Sequence, residues 1–186
     1  MKDLPAWMRS LDAARQHVQR SGRQTMFDDD EDDAGLDEAI VTYLALARGI
    51  ASRGSVDLYR AMLLSFDGER VLINMDCLGS SWALAREGAG VYAPYAPGRG
   101  RSVEVVVVAR VASKDIGWDE SLENYLLHPG EMEVAVLNNR RVLVTEVGGN
   151  RLAKPVVANT GPAGEYWSEN KRCIEGKRVG IAVKAQ

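Results

Sequence analysis

The sequence feature that most constrains the fold is the run SVEVVVVARV at residues 102–111, which is apolar and β-branched along almost its whole length. β-branched side chains lose rotamer freedom in a helix and pack well on a pleated surface. A strand that lacks apolar–polar alternation is typical of a buried position in a sheet. The run therefore predicts a buried strand.

Two helices are predicted before this strand. Residues 5–20 repeat apolar side chains at three- and four-residue steps, Pro5 suits a first helical position, and Ser21-Gly22 suits a helix end. Residues 36–52 carry a clearer apolar stripe. Its members are Ile40, Leu44, Ala47 and Ile50.

Strand patterns dominate the rest of the chain. The predicted strands are residues 56–64, 69–75, 102–111, 130–137, 140–147 and 179–183. Residues 80–88 are predicted to form a short helix, and the strands on either side of Asn138-Asn139 are predicted to form a hairpin. Helices followed by strands indicate the α+β class.

The composition excludes several classes of protein. The 186 residues carry 23 basic and 26 acidic side chains, so the net charge of −3 does not favour coating of nucleic acid or of a membrane surface. We find no run of about 18 apolar residues and no signal-peptide pattern, so we expect no membrane span. The expected location is the cytoplasm. Cys77 and Cys173 are predicted to be reduced, with no disulfide-linked partner.

Metal sites and common nucleotide folds are not predicted. An EF-hand over the acidic run at residues 28–33 would need glycine and glutamate where Asp33 and Ala39 stand. We therefore interpret the run as a solvated acidic loop. Two histidines, His17 and His128, are too few for a His-rich metal site. The absence of a P-loop and of GxGxxG after a strand argues against an NTPase or a Rossmann dehydrogenase.

Two short segments near the middle of the chain carry residues that suit binding chemistry. Arg60 stands within the apolar pattern VDLYRAML, where a charge is costly unless it meets a partner. The alternative is an outward-facing arginine on an edge strand. Ser80 and Ser81 stand in a turn before Trp82, where the hydroxyls could equally cap a helix and Trp82 could be ordinary core.

A third segment, HPGEMEVAVL, contains Glu131 and Glu133. Two residues that are two positions apart on a strand point to the same face, so these carboxylates are predicted to lie side by side. Paired carboxylates suit acid–base catalysis or the stabilisation of a developing cation. The alternative is a solvated acidic face on an edge strand.

Taken in order, Tyr59-Arg60, Ser81-Trp82 and EMEV resemble the motifs of the Arg-Ser-Glu class of mono-ADP-ribosyltransferases, which includes bacterial toxins and bacteriophage enzymes. The resemblance covers about half of the chain. It implies a core of two packed, mainly antiparallel β-sheets with NAD, the co-substrate, in the cleft between them. This NAD-binding domain would span residues 53–186, and a helical segment over residues 1–52 would cover it.

The resemblance also implies roles for the residues expected to bind NAD. Arg60, beside Tyr59, would hold the phosphates or the adenosine ribose of NAD. Ser81 would hydrogen-bond the catalytic glutamate, and Trp82 is a familiar variant at the next position. Ala83 departs from the motif because it lacks a hydroxyl, which Ser80 could supply.

Glu133 and Glu131 match the two acidic positions of the family. Glu133 would be the catalytic glutamate, which stabilises the positive charge on the ribose as nicotinamide leaves. Glu131 would orient an arginine acceptor and help to remove its proton. The expected activity is therefore cleavage of NAD and transfer of ADP-ribose to an arginine of a target protein.

The resemblance leaves the target and two other functions open. Host transcription or translation proteins are candidate targets, in the host cytoplasm if the chain is phage-encoded. One alternative is a non-catalytic module on the same fold that binds a nucleotide or a protein, which Ala83 favours. The other is a structural or virion protein whose glutamates are only surface residues.

Overall fold

The computed structural model describes residues 4–22, 25–27, 33–67, 70–91, 102–161 and 178–182. Its α-helices are α1 (Leu11–Ser21), α2 (Asp33–Arg53) and α3 (Trp118–Leu127). Its strands are β1 (Ser55–Asp67), β2 (Arg70–Asn74), β3 (Ser81–Ala83), β4 (Ser102–Ala112), β5 (Glu133–Ala135), β6 (Arg141–Val147), β7 (Asn150–Asn159) and β8 (Arg178–Ala182).

Both predicted N-terminal helices are present. The first begins with a 3-10 turn at Ala6–Arg9 and continues as α1 after Ser10, whose hydroxyl accepts a hydrogen bond from the Ala13 N–H at 3.1 Å. α1 ends at Gly22, which has a φ of 62° and so provides the left-handed cap predicted there. The apolar stripe of α2 is buried, as predicted, in the main core.

The strands form one antiparallel sheet with the order β5-β3-β1-β4-β6-β7, which confirms the α+β class. The long strand β1 pairs with β4 along one edge. Along its other edge it pairs with β3 at Tyr59 and with β2 from Ser65 onward, and β2 pairs in turn with β8. The described strands therefore make a single sheet that forks at β1, where two separate sheets were expected.

The two faces of the sheet are covered differently. Leu58 and Met62 of β1 belong to the main core, which also contains the apolar stripes of α2 and α3, so we call this side the helical face. Tyr59 and Ala61 alternate with them and pack in a smaller cluster on the other side, the open face. β4 is buried along most of its length, as its β-branched run predicted.

Several local predictions are wrong. β5 pairs with β3, and β6 pairs with β4 and β7, so the predicted hairpin around Asn138-Asn139 does not exist. The segment predicted as a helix at residues 80–88 begins as strand β3 and becomes helical only in a 3-10 turn at Glu87–Val91. The sequence analysis also missed α3 and β7.

The prediction of a reduced thiol is wrong for Cys77, which is buried and disulfide-bonded. The chain's one other cysteine, Cys173, lies outside the described residues. Most of the acidic run also lies outside them, and its last residue, Asp33, begins α2. Within the described part of the chain, no helix is long and apolar enough to cross a membrane.

Candidate functional site

The segments singled out by the sequence lie on three neighbouring strands. Arg60 is on β1, Ser81 on β3 and Glu133 on β5, and these strands are adjacent in the sheet. Ala83 connects the three strands, because it pairs with Tyr59 on one side and with Glu133 on the other. Three segments that are far apart in the sequence therefore meet at one end of the sheet.

Arg60 is a buried charge on an interior strand, with only 9% of its surface exposed. Its Nη1 donates a hydrogen bond to the backbone carbonyl of Ser81. Burial lowers the pKa of Arg60 to about 10, and the negative charge of Glu133 opposes that shift. The guanidinium therefore stays protonated at neutral pH, and the alternative of an outward-facing arginine on an edge strand is wrong.

Strand alternation separates the side chains of Arg60 and Glu133. Arg60 lies between Tyr59 and Ala61, which face the open side, so its own side chain starts from the helical face. Glu133 pairs with Ala83, which packs on the open face. The two charges therefore influence each other from opposite faces of the sheet.

The residues around Ser81 have structural roles in this structure. Trp82 is buried and its Nε1 donates to the carbonyl of Gly79 at 3.0 Å. The carbonyl of Ser80 accepts from the N–H of Val136 at 2.7 Å, which ties the start of β3 to the end of β5. The Ser81 side chain is exposed, and its hydroxyl makes no hydrogen bond with any described residue.

Glu133 is held by a residue that the sequence analysis missed. Its Oε1 accepts a hydrogen bond from Nδ2 of Asn124, on α3, at 3.0 Å. One turn earlier, the hydroxyl of Ser121 accepts from the N–H of Ala135 at 2.9 Å, so α3 runs along the outer edge of β5. The i, i+3 spacing of Ser121 and Asn124, beside the apolar side of a helix, is the signal that could have revealed them.

Glu131 does not lie beside Glu133 on a strand, so that prediction is wrong. It is the last residue of a 3-10 turn, Pro129–Glu131, and Met132 then has a φ of 49°. Pro129 fixes a helical φ at the start of this turn, so the strand begins only at Glu133. The Oε2 atom of Glu131 is shielded from solvent and makes no hydrogen bond within the described part of the chain.

The turn that carries Glu131 packs tightly against the 3-10 turn at Glu87–Val91. A Cβ atom added to Gly88 would stand 2.5 Å from the carbonyl oxygen of Glu131 and 3.4 Å from the Cβ of Ala83. The backbone of Gly88 therefore lies directly over Ala83. This contact explains why small residues occupy both positions, including the one where the family motif has a hydroxyl.

The open face also contains a cavity of about 440 Å³ on the other side of the Gly88 turn. Tyr59 and Val108 form part of its wall, and the guanidinium of Arg86 lies 5.6 Å from the centre of the Tyr59 ring. Arg86 also forms an ion pair with Glu146 of β6. The cavity and Glu133 thus share the open face but lie on opposite sides of the Gly88 turn.

Comparisons with protein-family models, with curated proteins and with solved structures found no match to this chain.

Proposed function

We propose that this protein is a mono-ADP-ribosyltransferase that cleaves NAD and transfers ADP-ribose to a target protein. The observation that carries the proposal is the adjacency of the three strands that bear Arg60, Ser81 and Glu133. A chance resemblance in the sequence would not require these distant segments to meet. The electrostatic effect of Glu133 on Arg60 supports the same grouping.

Glu133 is the residue to which we assign the catalytic role. In the proposed reaction the bond between C1′ of the ribose and the nicotinamide nitrogen breaks, and nicotinamide leaves with the bonding electron pair. Positive charge then develops on the ribose, and the carboxylate of Glu133 would stabilise it. A bond from C1′ to a nitrogen of the acceptor arginine completes the transfer, and the acceptor releases one proton.

Two features modify the roles that the resemblance implied. Asn124 holds the carboxylate of Glu133, which is the role expected of Ser81. Arg60 binds the carbonyl of Ser81 and has little exposed surface, so we assign it the role of fixing β3 against β1. Arginine remains the proposed acceptor. Glu131 would reach it only if its carboxylate turned out of the shielded position in which it lies.

The test is a comparison of wild type with Glu133→Gln, using NAD labelled in the adenine part. Glutamine keeps an oxygen that can accept the hydrogen bond from Asn124, so the change removes charge and little else. Nicotinamide release by the purified protein and label transfer to lysate proteins should both fall by at least about a hundredfold. Mass spectrometry of labelled proteins should place the modification on arginine.

Glu38→Gln is the matched control, because Glu38 is exposed on α2 and makes no hydrogen bond or ion pair with a described residue. It should leave nicotinamide release unchanged. Equal nicotinamide release by correctly folded wild type and Glu133→Gln would contradict the proposal.

A non-catalytic binding module is the second candidate. It is favoured by the burial of Arg60 and by the exposed Ser81 hydroxyl, which does not contact Glu133. NAD binding without nicotinamide release would identify it.

A further inference from the structure

The cavity on the open face is produced by two irregularities that meet at one position in the sheet. In β7, residues 152–155 lie opposite the single residue Thr145, because Val144 pairs with Val156 while Glu146 pairs with Arg151. In β4, the register with β6 shifts between Val108 and Ala109. Bulges of this kind redirect side chains and are frequent beside functional sites.

The charged side chains of the cavity carry a net positive charge. Arg86, Arg110 and Arg151 line it together with two carboxylates, so these five groups sum to a charge of +1. Arg110 uses Nε and Nη2 on Asp57, at 2.9 and 3.0 Å, and Arg86 uses Nη2 on Glu146. Each guanidinium has five N–H donors, so both retain donors for a ligand.

Arg151 adds side-chain donors that no described residue occupies. Its guanidinium makes no hydrogen bond or ion pair with any residue of the described ranges, and the residue is exposed at the rim of the cavity. Three arginines with spare donors suit a group with many acceptor oxygens, and phosphate is bound in this way, often by two parallel N–H···O bonds. A single carboxylate would use only part of this set.

Apart from Thr145, the rest of the lining is apolar. Its members are Tyr59, Val108, Leu152, Ala153 and Pro155. A volume of about 440 Å³ lies in the range of small-molecule sites and exceeds what one ion would fill. A ligand for this cavity therefore combines several anionic oxygens with an apolar or aromatic body.

We propose that the cavity binds a nucleoside diphosphate, with the diphosphate on Arg151 and Arg86 and the nucleoside against the apolar wall. This site is separate from Glu133, because the Gly88 turn lies over Ala83 between them. The proposal therefore does not depend on the transferase activity.

Calorimetry on the full chain tests the proposal with ADP, inorganic pyrophosphate and adenosine at fixed ionic strength. ADP should bind at least about tenfold more tightly than adenosine, because each hydrogen bond to a charged group raises the binding affinity by about one to two orders of magnitude. Arg151→Ala should lower the affinity for ADP and for pyrophosphate by at least about tenfold, and Arg151→Lys should restore part of the lost affinity. Leu152→Ala should lower the affinity for ADP but not the affinity for pyrophosphate.

The control is Arg53→Ala, because Arg53 is an exposed arginine at the end of α2, on another part of the surface. It should change ADP affinity less than twofold. Absence of ADP binding, equal affinity for ADP and adenosine, or equal losses in Arg53→Ala and Arg151→Ala would each overturn the proposal.

Discussion

Replacement of Gly88 by alanine should destabilise the protein through one steric contact. The added Cβ would stand 2.5 Å from the Glu131 carbonyl oxygen, and an ordinary contact is at least 3.4 Å, so the two turns must separate by about 0.9 Å (3.4 − 2.5). The atom in the way belongs to the backbone, so no side-chain rotation can relieve the clash. Overpacking of this kind costs about 1–3 kcal/mol in the free energy of unfolding.

Urea denaturation followed by circular dichroism measures this effect. The midpoint should fall while the slope of free energy against urea stays constant, because the surface exposed on unfolding is unchanged. For a chain of this length the melting temperature should fall by about 2–4 °C for each kcal/mol. Separation of the turns would also displace Glu133, so nicotinamide release should fall in the same variant if the proposed function is correct.

Gly130→Ala is the matched control, since Gly130 lies in the turn on the other side of the same contact. A Cβ atom at Gly130 would meet nothing within 4 Å. The reasoning is refuted if the free energy of unfolding of Gly88→Ala lies within about 0.5 kcal/mol of the wild-type value, the usual range for a neutral substitution. It is also refuted if Gly130→Ala is destabilised equally, because that would point to a general intolerance of these turns.

Two further predictions concern the helices that flank the sheet. Ser121→Ala would leave the buried N–H of Ala135 without its acceptor, so the free energy of unfolding should fall by about 1–3 kcal/mol in urea titration. The control is Ser52→Ala, at the exposed end of α2, which should change the free energy of unfolding by less than about 0.5 kcal/mol. Burial raises the pKa of Tyr43, whose hydroxyl donates to the carbonyl of Trp118 at 2.9 Å. Its proton is therefore retained in the folded chain and lost from the unfolded chain above about pH 10, so stability should decline there by up to about 1.4 kcal/mol per pH unit. Tyr43→Phe should show a shallower decline across that window, and an identical decline would contradict the assignment.

The elements predicted correctly are those whose pattern is local. α2 and β4 each carry an unambiguous apolar pattern over ten or more residues, and both were found with nearly the right ends. The N-cap residue of α3 is Gly117, which offers no capping side chain, so the helix was missed. Pro155 breaks the pattern of β7, because proline lacks the N–H that a strand interior normally uses.

The candidate site shows the limit of local patterns more clearly. The sequence pointed to Arg60 because a charge within an apolar strand needs a partner, but it left an outward-facing arginine on an edge strand open. Burial on an interior strand decides against that alternative. The pairing of Ala83 with Glu133 joins segments about fifty residues apart, and no periodicity encodes such a contact. The contact between Gly88 and Glu131 depends on the same long-range packing, so the separation of Glu131 from β5 could not be predicted from EMEV alone.

The bulge in β7 has a consequence for the behaviour of the protein at high concentration. β5 and β7 end the six-strand path of the sheet, and an uncovered strand edge can recruit a strand from another molecule. α3 covers the edge of β5 through Ser121. On β7, the bulge, the exposed charge of Lys154 and the missing N–H of Pro155 interrupt the ladder that an incoming strand would need. Both ends of the path thus resist strand-to-strand aggregation.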